Sequence, residues 1–337
     1  MPVYNCENYI NEAIESILTQ TFSNFELIII DDASTDSTVK FIKSYADKRI
    51  VLFEKKTNSG YSESLNFGLT IAKGEYIARM DGDDISHKTR FEKQISILDN
   101  SKKIVLCGTW MEILDSGKLI IFPIEHDEIN VCLLKHCCIA HPTVMLRMSF
   151  LVEHSLTYNT LMEPAEDYDL WIRMIRKGVF AIIPEKLLKY RMHNQQTSIV
   201  KQNIQKQKTF LIKVIHLSTI INISVAKKFY SVQDIINLKS TKKKIAYLNW
   251  ILKECEYLKY RNSTILFFES DQFNSFLEDH KKTVNRYIFL SSTSHDPLLL
   301  FYFGKTIMKN RNYFKLFEVL KNIIKCIFFY NRSFTLY

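Results

Sequence analysis

The chain has 337 residues, 47% hydrophobic and 24% charged, with only 8 Gly and 6 Pro, which excludes a disordered, fibrous or miniature scaffold. Charge is unevenly spread: residues 1–200 hold 22 Lys/Arg against 27 Asp/Glu, whereas 201–337 hold 23 against 9, so the two parts face different electrostatic partners. The seven cysteines (Cys6, Cys107, Cys132, Cys137, Cys138, Cys255 and Cys326) have no C-x-x-C spacing and read as reduced core thiols of a cytoplasmic protein.

In chain order, Ile10, Ala13, Ile14, Ile17 and Leu18 fall at helical spacing, and Phe25 to Ile30 is a near-continuous apolar run of strand character. A loop rich in capping residues, Asp31 to Asp36, leads to a second helix through Val39, Phe41, Ile42 and Tyr45, then to a strand over Ile50 to Phe53. Leu65 to Ala72 reads as helix, Tyr76 to Met80 as strand, Phe91 to Leu98 as helix and Ile104 to Cys107 as strand. Strands separated by single helices imply an α/β fold with a mostly parallel sheet covered on both faces.

Ligands of such sheets bind beyond the carboxyl ends of the strands. Asp31-Asp32 follows one buried strand and Asp81-Gly82-Asp83-Asp84 another, so five carboxylates converge on one rim. Crowded like charges call for a divalent cation, protonation or donors from a ligand. The plainer reading of the first cluster is a helix cap, with Asp32 or Asp36 serving the helix toward Lys43.

Pro164, the basic last turn and Gly178 bracket a helix beginning at Glu166. Leu170, Trp171, Met174 and Ile175 form its apolar stripe, and Asp167 shares that face. Glu166, Arg173 and Lys177 fall toward the other side. Asp167 is either a capping carboxylate or a general base against an apolar wall. Lys186 to Met192 reads as a strand ending at His193. In isolation His193, and His141 with Pro142-Thr143, read as surface hydrogen-bonders.

Taken together, Pro2-Val-Tyr-Asn5 with Glu7, Phe25 to Asp36, Asn58-x-Gly60, Ala72 to Asp84, His141-Pro-Thr143, Glu166-Asp-Tyr-Asp-Leu-Trp171 and Tyr190-Arg-x-His193 resemble the inverting family 2 glycosyltransferases of bacterial envelope polysaccharide synthesis. The resemblance spans about residues 1–200 and implies a GT-A fold over that domain, with 201–337 as a basic, helix-rich C-terminal region. It implies a nucleotide-sugar donor, a UDP-sugar being the one that the family's pocket suits, and a glycan or lipid-linked acceptor. Pro2, Tyr4 and Glu7 would line the nucleoside pocket, and Asp32 would accept from the base. Asp81 would face the ribose or sugar, Asp84 the donor sugar, and Asp83 with His193 would hold Mn²⁺ or Mg²⁺. Asp167 would be the catalytic base. A non-catalytic nucleotide-sugar-binding or membrane scaffold protein is the alternative.

The family carries an apolar strand ahead of the Pro2 element, and this chain begins in what would be its last residue. The expectation is a sheet short of its middle strand, with the natural start upstream. No leader for secretion is evident, and the longest apolar stretch, Thr209 to Ala226, is interrupted by Lys213, His216 and Asn222. The basic remainder, including Tyr313 to Phe328 with interspersed lysines, suits a helical subdomain or a helix on anionic lipid at the inner face of the cytoplasmic membrane. Nothing in it has the pattern of a nucleic-acid-binding motif.

Overall fold

A computed structural model of the chain describes residues 1–290 other than 194, 195, 197–199, 233, 235, 236, 238 and 239. The Tyr313–Phe328 pattern lies outside the described residues. The chain divides into two compact units, Met1–His216 and Leu217–Tyr337.

The first unit contains two sheets. β1 (Pro2–Val3), β2 (Leu27–Asp31) and β3 (Ile50–Glu54) form a parallel sheet in the order β1-β2-β3, linked by α1 (Ile10–Leu18) and α2 (Thr38–Lys43). The second sheet runs β4 (Tyr76–Ala78), β8 (Met145–Arg147), β6 (Ile104–Ile113), β9 (Val179–Tyr190) and β5 (Ile85–Ser86), with β7 (Leu119–Ile120) beside β6. Only β6 and β9 are parallel there; the other pairings are antiparallel. α3 (Tyr61–Ile71), α4 (Arg90–Asn100), α5 (His126–Cys132), α6 (Met148–Glu153) and α7 (Glu166–Ile175) complete the layers.

The apolar spacing of α1 does what it predicts: Ile10, Ala13, Ile14 and Ile17 are all buried, against Ile29, Met80 and Leu98. α7 buries Leu170, Trp171, Met174 and Ile175 in the other core, beside Leu106, Val144 and Phe180. β6 and β9 run well past their apolar stretches because each supplies the other's ladder, with irregular register between Thr109 and Met111.

Between β1 and β2 on one side and β4 on the other lies a cavity of about 700 Å³, lined by Leu27, Ile28, Tyr76 and Ala78 among others. The Met1 amine donates to the Ile28 carbonyl at 2.9 Å, and burial, reinforced by Arg79, pulls its pKa down to about 5.

α8 (Gln202–Leu217) follows the sequence boundary at 200, yet its Ile212 packs into the core of the first unit. In the second unit, α9 (Ile223–Tyr230) is capped by Asn222, and α10 (Thr241–Ile265) by Ser240. α10 ends where Leu266 turns left-handed at φ 54°, and α11 (Ser270–Leu290) returns after a short connection. Leu248, Ile251, Cys255 and Leu258 of α10 and Phe273, Phe276, Leu277 and Val284 of α11 are buried. Lys259 and Lys281 pair with Glu278. Among the described residues no helix is long and apolar enough to cross a membrane.

Candidate active site

The loops after β1, β2 and β4 meet at one rim. Asn5, at φ 52°, donates its N–H to Ser34 Oγ and accepts from Thr35 N–H, both at 2.9 Å. Cys6 N–H reaches Thr38 Oγ1 at 2.7 Å, and Glu7 accepts from Ser37 N–H at 2.9 Å. These bonds satisfy a stretch of backbone that no ladder serves. The β4 loop can close on this zipper because position 82 is glycine: a Cβ there would come within 2.8 Å of Val3 Cγ1. Tyr4 is left about half exposed at 48%, while Pro2 is buried.

The two acidic loops differ in their chemistry. Asp32, buried after β2, accepts from Ser59 and Gly60 N–H, each at 3.0 Å, and from Lys55 Nζ at 3.2 Å. It is a satisfied carboxylate. Asp36 accepts from Thr38 N–H at 2.9 Å and so does the capping work considered for this cluster.

After β4, the carboxylates of Asp81, Asp83 and Asp84 each offer an oxygen within 4.8 Å of the others. Asp81 is gripped by both guanidinium nitrogens of buried Arg79 and by the Tyr61 hydroxyl at 3.0 Å. Asp83 faces His193 Nε2 at 2.9 Å. Asp84 accepts from Arg191 N–H at 3.0 Å through one oxygen, and its other oxygen is buried without a partner among the described residues. Burial, then the charge of Asp81, pushes Asp83 up; Asp84, buried and flanked by both neighbours, is pushed up well beyond the carboxylate range.

His193 is held by stacking on Tyr9, with ring centroids 5.3 Å apart, and Arg191 lies 4.8 Å over the same Tyr9 ring. Arg191 also donates to the Asp83 carbonyl at 2.9 Å and pairs with Glu12. A histidine that in isolation looked like a surface group is thus aimed at the acid cluster from the end of β9.

Asp167 stands in the first turn of α7. Its carboxyl accepts from Tyr168 N–H at 2.6 Å. Burial raises its pKa to about 6 against the opposing pull of that bond and of Arg79, and Asp81 lies close enough to act on it too. Arg79 is therefore electrostatically shared between the β4 loop and α7, a role not assigned to it from sequence. Its place two residues before Asp81 on an extended segment is the signal that it shares that face.

Glu166 overturns the sequence expectation. Its side chain is buried rather than on the outer side, one of its oxygens has no partner, and burial together with Asp167 lifts its pKa to about 8. Helical periodicity separates it from Asp167, but the first turn of α7 is covered on both flanks. His141 is also buried: Nε2 lies 2.9 Å from the Tyr158 hydroxyl, and the ring is caged by Tyr61, Tyr158 and Trp171. Burial, then Arg79, drives its pKa well below the usual imidazole value, so it is a neutral partner in the wall.

The profile of glycosyl transferase family 2 matches residues 1–180. The chain belongs to that family. An uncharacterised glycosyltransferase of Haemophilus influenzae is 33% identical over 304 residues, 85% of this chain and 94% of its own length. Another, of Methanocaldococcus jannaschii, is 35% identical over 220 residues, 62% of this chain and 74% of its own. In structure, Staphylococcus aureus TarS 1–349 in complex with UDP-GlcNAc aligns with a TM-score of 0.55 at 18% identity, covering 93% of this chain and 88% of that one. The mannosyltransferase PcManGT of Pyrobaculum calidifontis, in complex with GDP-Man and Mn²⁺, aligns at 0.51 and 13% identity over 85% of each chain. The family match, these structural neighbours and the layered sheets agree on a GT-A fold followed by a helical C-terminal region.

Proposed function

We propose that this glycosyltransferase moves a sugar from a UDP-sugar to a glycan or lipid-linked hydroxyl acceptor with inversion, in the synthesis of an envelope polysaccharide. The reading is supported above all by the contact of Asp83 with His193 and by buried Arg79, which pairs with Asp81 and acts electrostatically on Asp167 of α7. The exposed Tyr4 ring is suited to stack on a base, with Pro2 and Glu7 shaping the same loop. Asp32 would serve the base imide by sharing a carboxylate already ordered by Ser59 and Gly60.

The donor set fits a hard divalent cation: clustered carboxylates, one unpartnered buried oxygen on Asp84, and an imidazole that favours Mn²⁺ over Mg²⁺. Asp83 and His193 would hold it. When bound, such an ion supplies neutralising charge to the departing diphosphate. Asp81 and Asp84 would face the ribose and donor sugar.

Asp167 takes the proton of the acceptor hydroxyl as its oxygen bonds to the anomeric carbon. The carbon–oxygen bond to the nucleoside diphosphate breaks, its electron pair leaving with the diphosphate. One displacement inverts the centre, without a covalent intermediate. The excess of 23 Lys/Arg over 9 Asp/Glu in residues 201–337 supports peripheral attachment to anionic lipid, near a lipid-linked acceptor.

The decisive test is titration of UDP in the presence of Mn²⁺, with donor turnover assayed for wild type and Asp167→Asn. The variant is expected to bind UDP unchanged and to lose about 10²–10⁴-fold in rate. Binding without turnover in either protein would replace the enzyme with a nucleotide-sugar-binding protein.

A further inference from the structure

Building on the transferase reading, we propose that Glu163 is a positioning residue that clasps the donor-side loop to the helix bearing Asp167. The segment from Ser59 to Ser62, which runs from the loop after β3 into the first turn of α3, commits every residue to an acidic group. Ser59 and Gly60 N–H serve Asp32, and the Tyr61 hydroxyl serves Asp81. Ser62 then donates its N–H and its hydroxyl to Glu163 Oε2, at 3.2 and 3.1 Å. Gly60 makes the turn at φ 96°, where a side chain would be strained, and any Cβ would lie 3.5 Å from that same Glu163 oxygen.

The other Glu163 oxygen accepts from Lys201 Nζ at 2.9 Å. From Glu163 the chain runs without slack into α7: Ala165 N–H bonds the Met162 carbonyl at 2.7 Å, and Asp169 N–H bonds the Ala165 carbonyl at 3.1 Å. Gln205 fixes the Pro164 carbonyl at 3.0 Å. Ser62 and Glu163 are thus a direct polar tie between the segment that orders Asp32 and Asp81 and the short turn that launches Asp167. Since a misplacement of about 1 Å can cost 10²-fold in rate, a tie at this point governs the distance from base to donor rather than donor affinity.

The experiment uses the full chain with Glu163→Ala and Glu163→Gln, whose amide oxygen still accepts from Ser62. UDP affinity with Mn²⁺, kcat, donor KM and amide exchange are measured for each. Glu163→Ala is expected to lose about 10–100-fold in kcat while UDP affinity and KM stay within about threefold, and Glu163→Gln to recover most of the rate. The Ser62 and Asp169 amides should exchange faster in the Ala variant only. Wild-type kcat in Glu163→Ala, a parallel loss of UDP affinity, or a Gln variant as impaired as Ala overturns the clasp. Absence of turnover and UDP binding in the wild type would instead remove the transferase reading; amide exchange at Ser62 then decides the clasp alone, and unchanged exchange in Glu163→Ala refutes it.

Discussion

The loops after β2 and β4 look alike in sequence, each a run of aspartates closing a strand, and the folded chain treats them oppositely. Asp32 is surrounded by donors, two backbone N–H groups and Lys55, and is a completed structural joint. Asp83 and Asp84 are crowded by like charge and both carboxyls are pushed upward by burial; a buried oxygen without a partner among the described residues occurs at both strand ends, on Asp31 and on Asp84, so uncompensated charge is what separates the loops. An acid cluster is therefore informative about a ligand through the charge it leaves uncompensated. Counting aspartates cannot separate a finished loop from one awaiting a cation.

The largest effect that tests this contrast is loss of cation response. At about 100 times its dissociation constant, Mn²⁺ should stabilise the wild type by about 2.7 kcal/mol. Asp83→Ala and His193→Ala should abolish that shift in a thermal melt, and Asp32→Ala should retain it. A retained shift in Asp83→Ala would erase the distinction between the loops.

Next, pH separates both loops from α7. With Asp167 at about 6, transfer needs its ionised form, so kcat should rise as pH climbs through 6 and level off above it. A rate that falls over the same interval would exclude Asp167 as the base.

Stability in urea without metal gives a smaller contrast. Asp32→Ala should cost about 2–3 kcal/mol through three lost bonds to a charged acceptor, whereas Asp84→Asn should stay within about 1 kcal/mol of wild type. Equal losses would show that Asp84 is as well satisfied as Asp32.

A last contrast concerns Glu166, pushed up to about 8 by burial beside Asp167. Across that interval the native state binds more protons than the unfolded one, so stability falls as pH rises. Glu166→Gln removes this dependence. It should match the wild type near pH 4 and melt at a higher temperature at pH 8, and an equal pH dependence in wild type and variant would remove Glu166 as its source.

Much of the frame was legible beforehand. α1 and β2 announce themselves because a one-sided helix and a two-sided buried strand leave distinct apolar periods. The full lengths of β6 and β9 were not legible, since half-exposed residues join a strand only when a partner ladder exists. His141 is a second case: one imidazole in a loop carries no period, and only the packing of Tyr61, Tyr158 and Trp171 makes it core.

Residue order by itself determined the family, the alternation of strands and helices, and which carboxylates stand at strand ends, because local spacing and short-range chemistry encode those. Tertiary structure alone decided which carboxylates are satisfied, that Glu166 is buried beside Asp167, and that Arg79 and Glu163 tie distant segments together. Those outcomes depend on the donors and low-dielectric walls that remote segments bring, a sum over neighbours far apart in the chain.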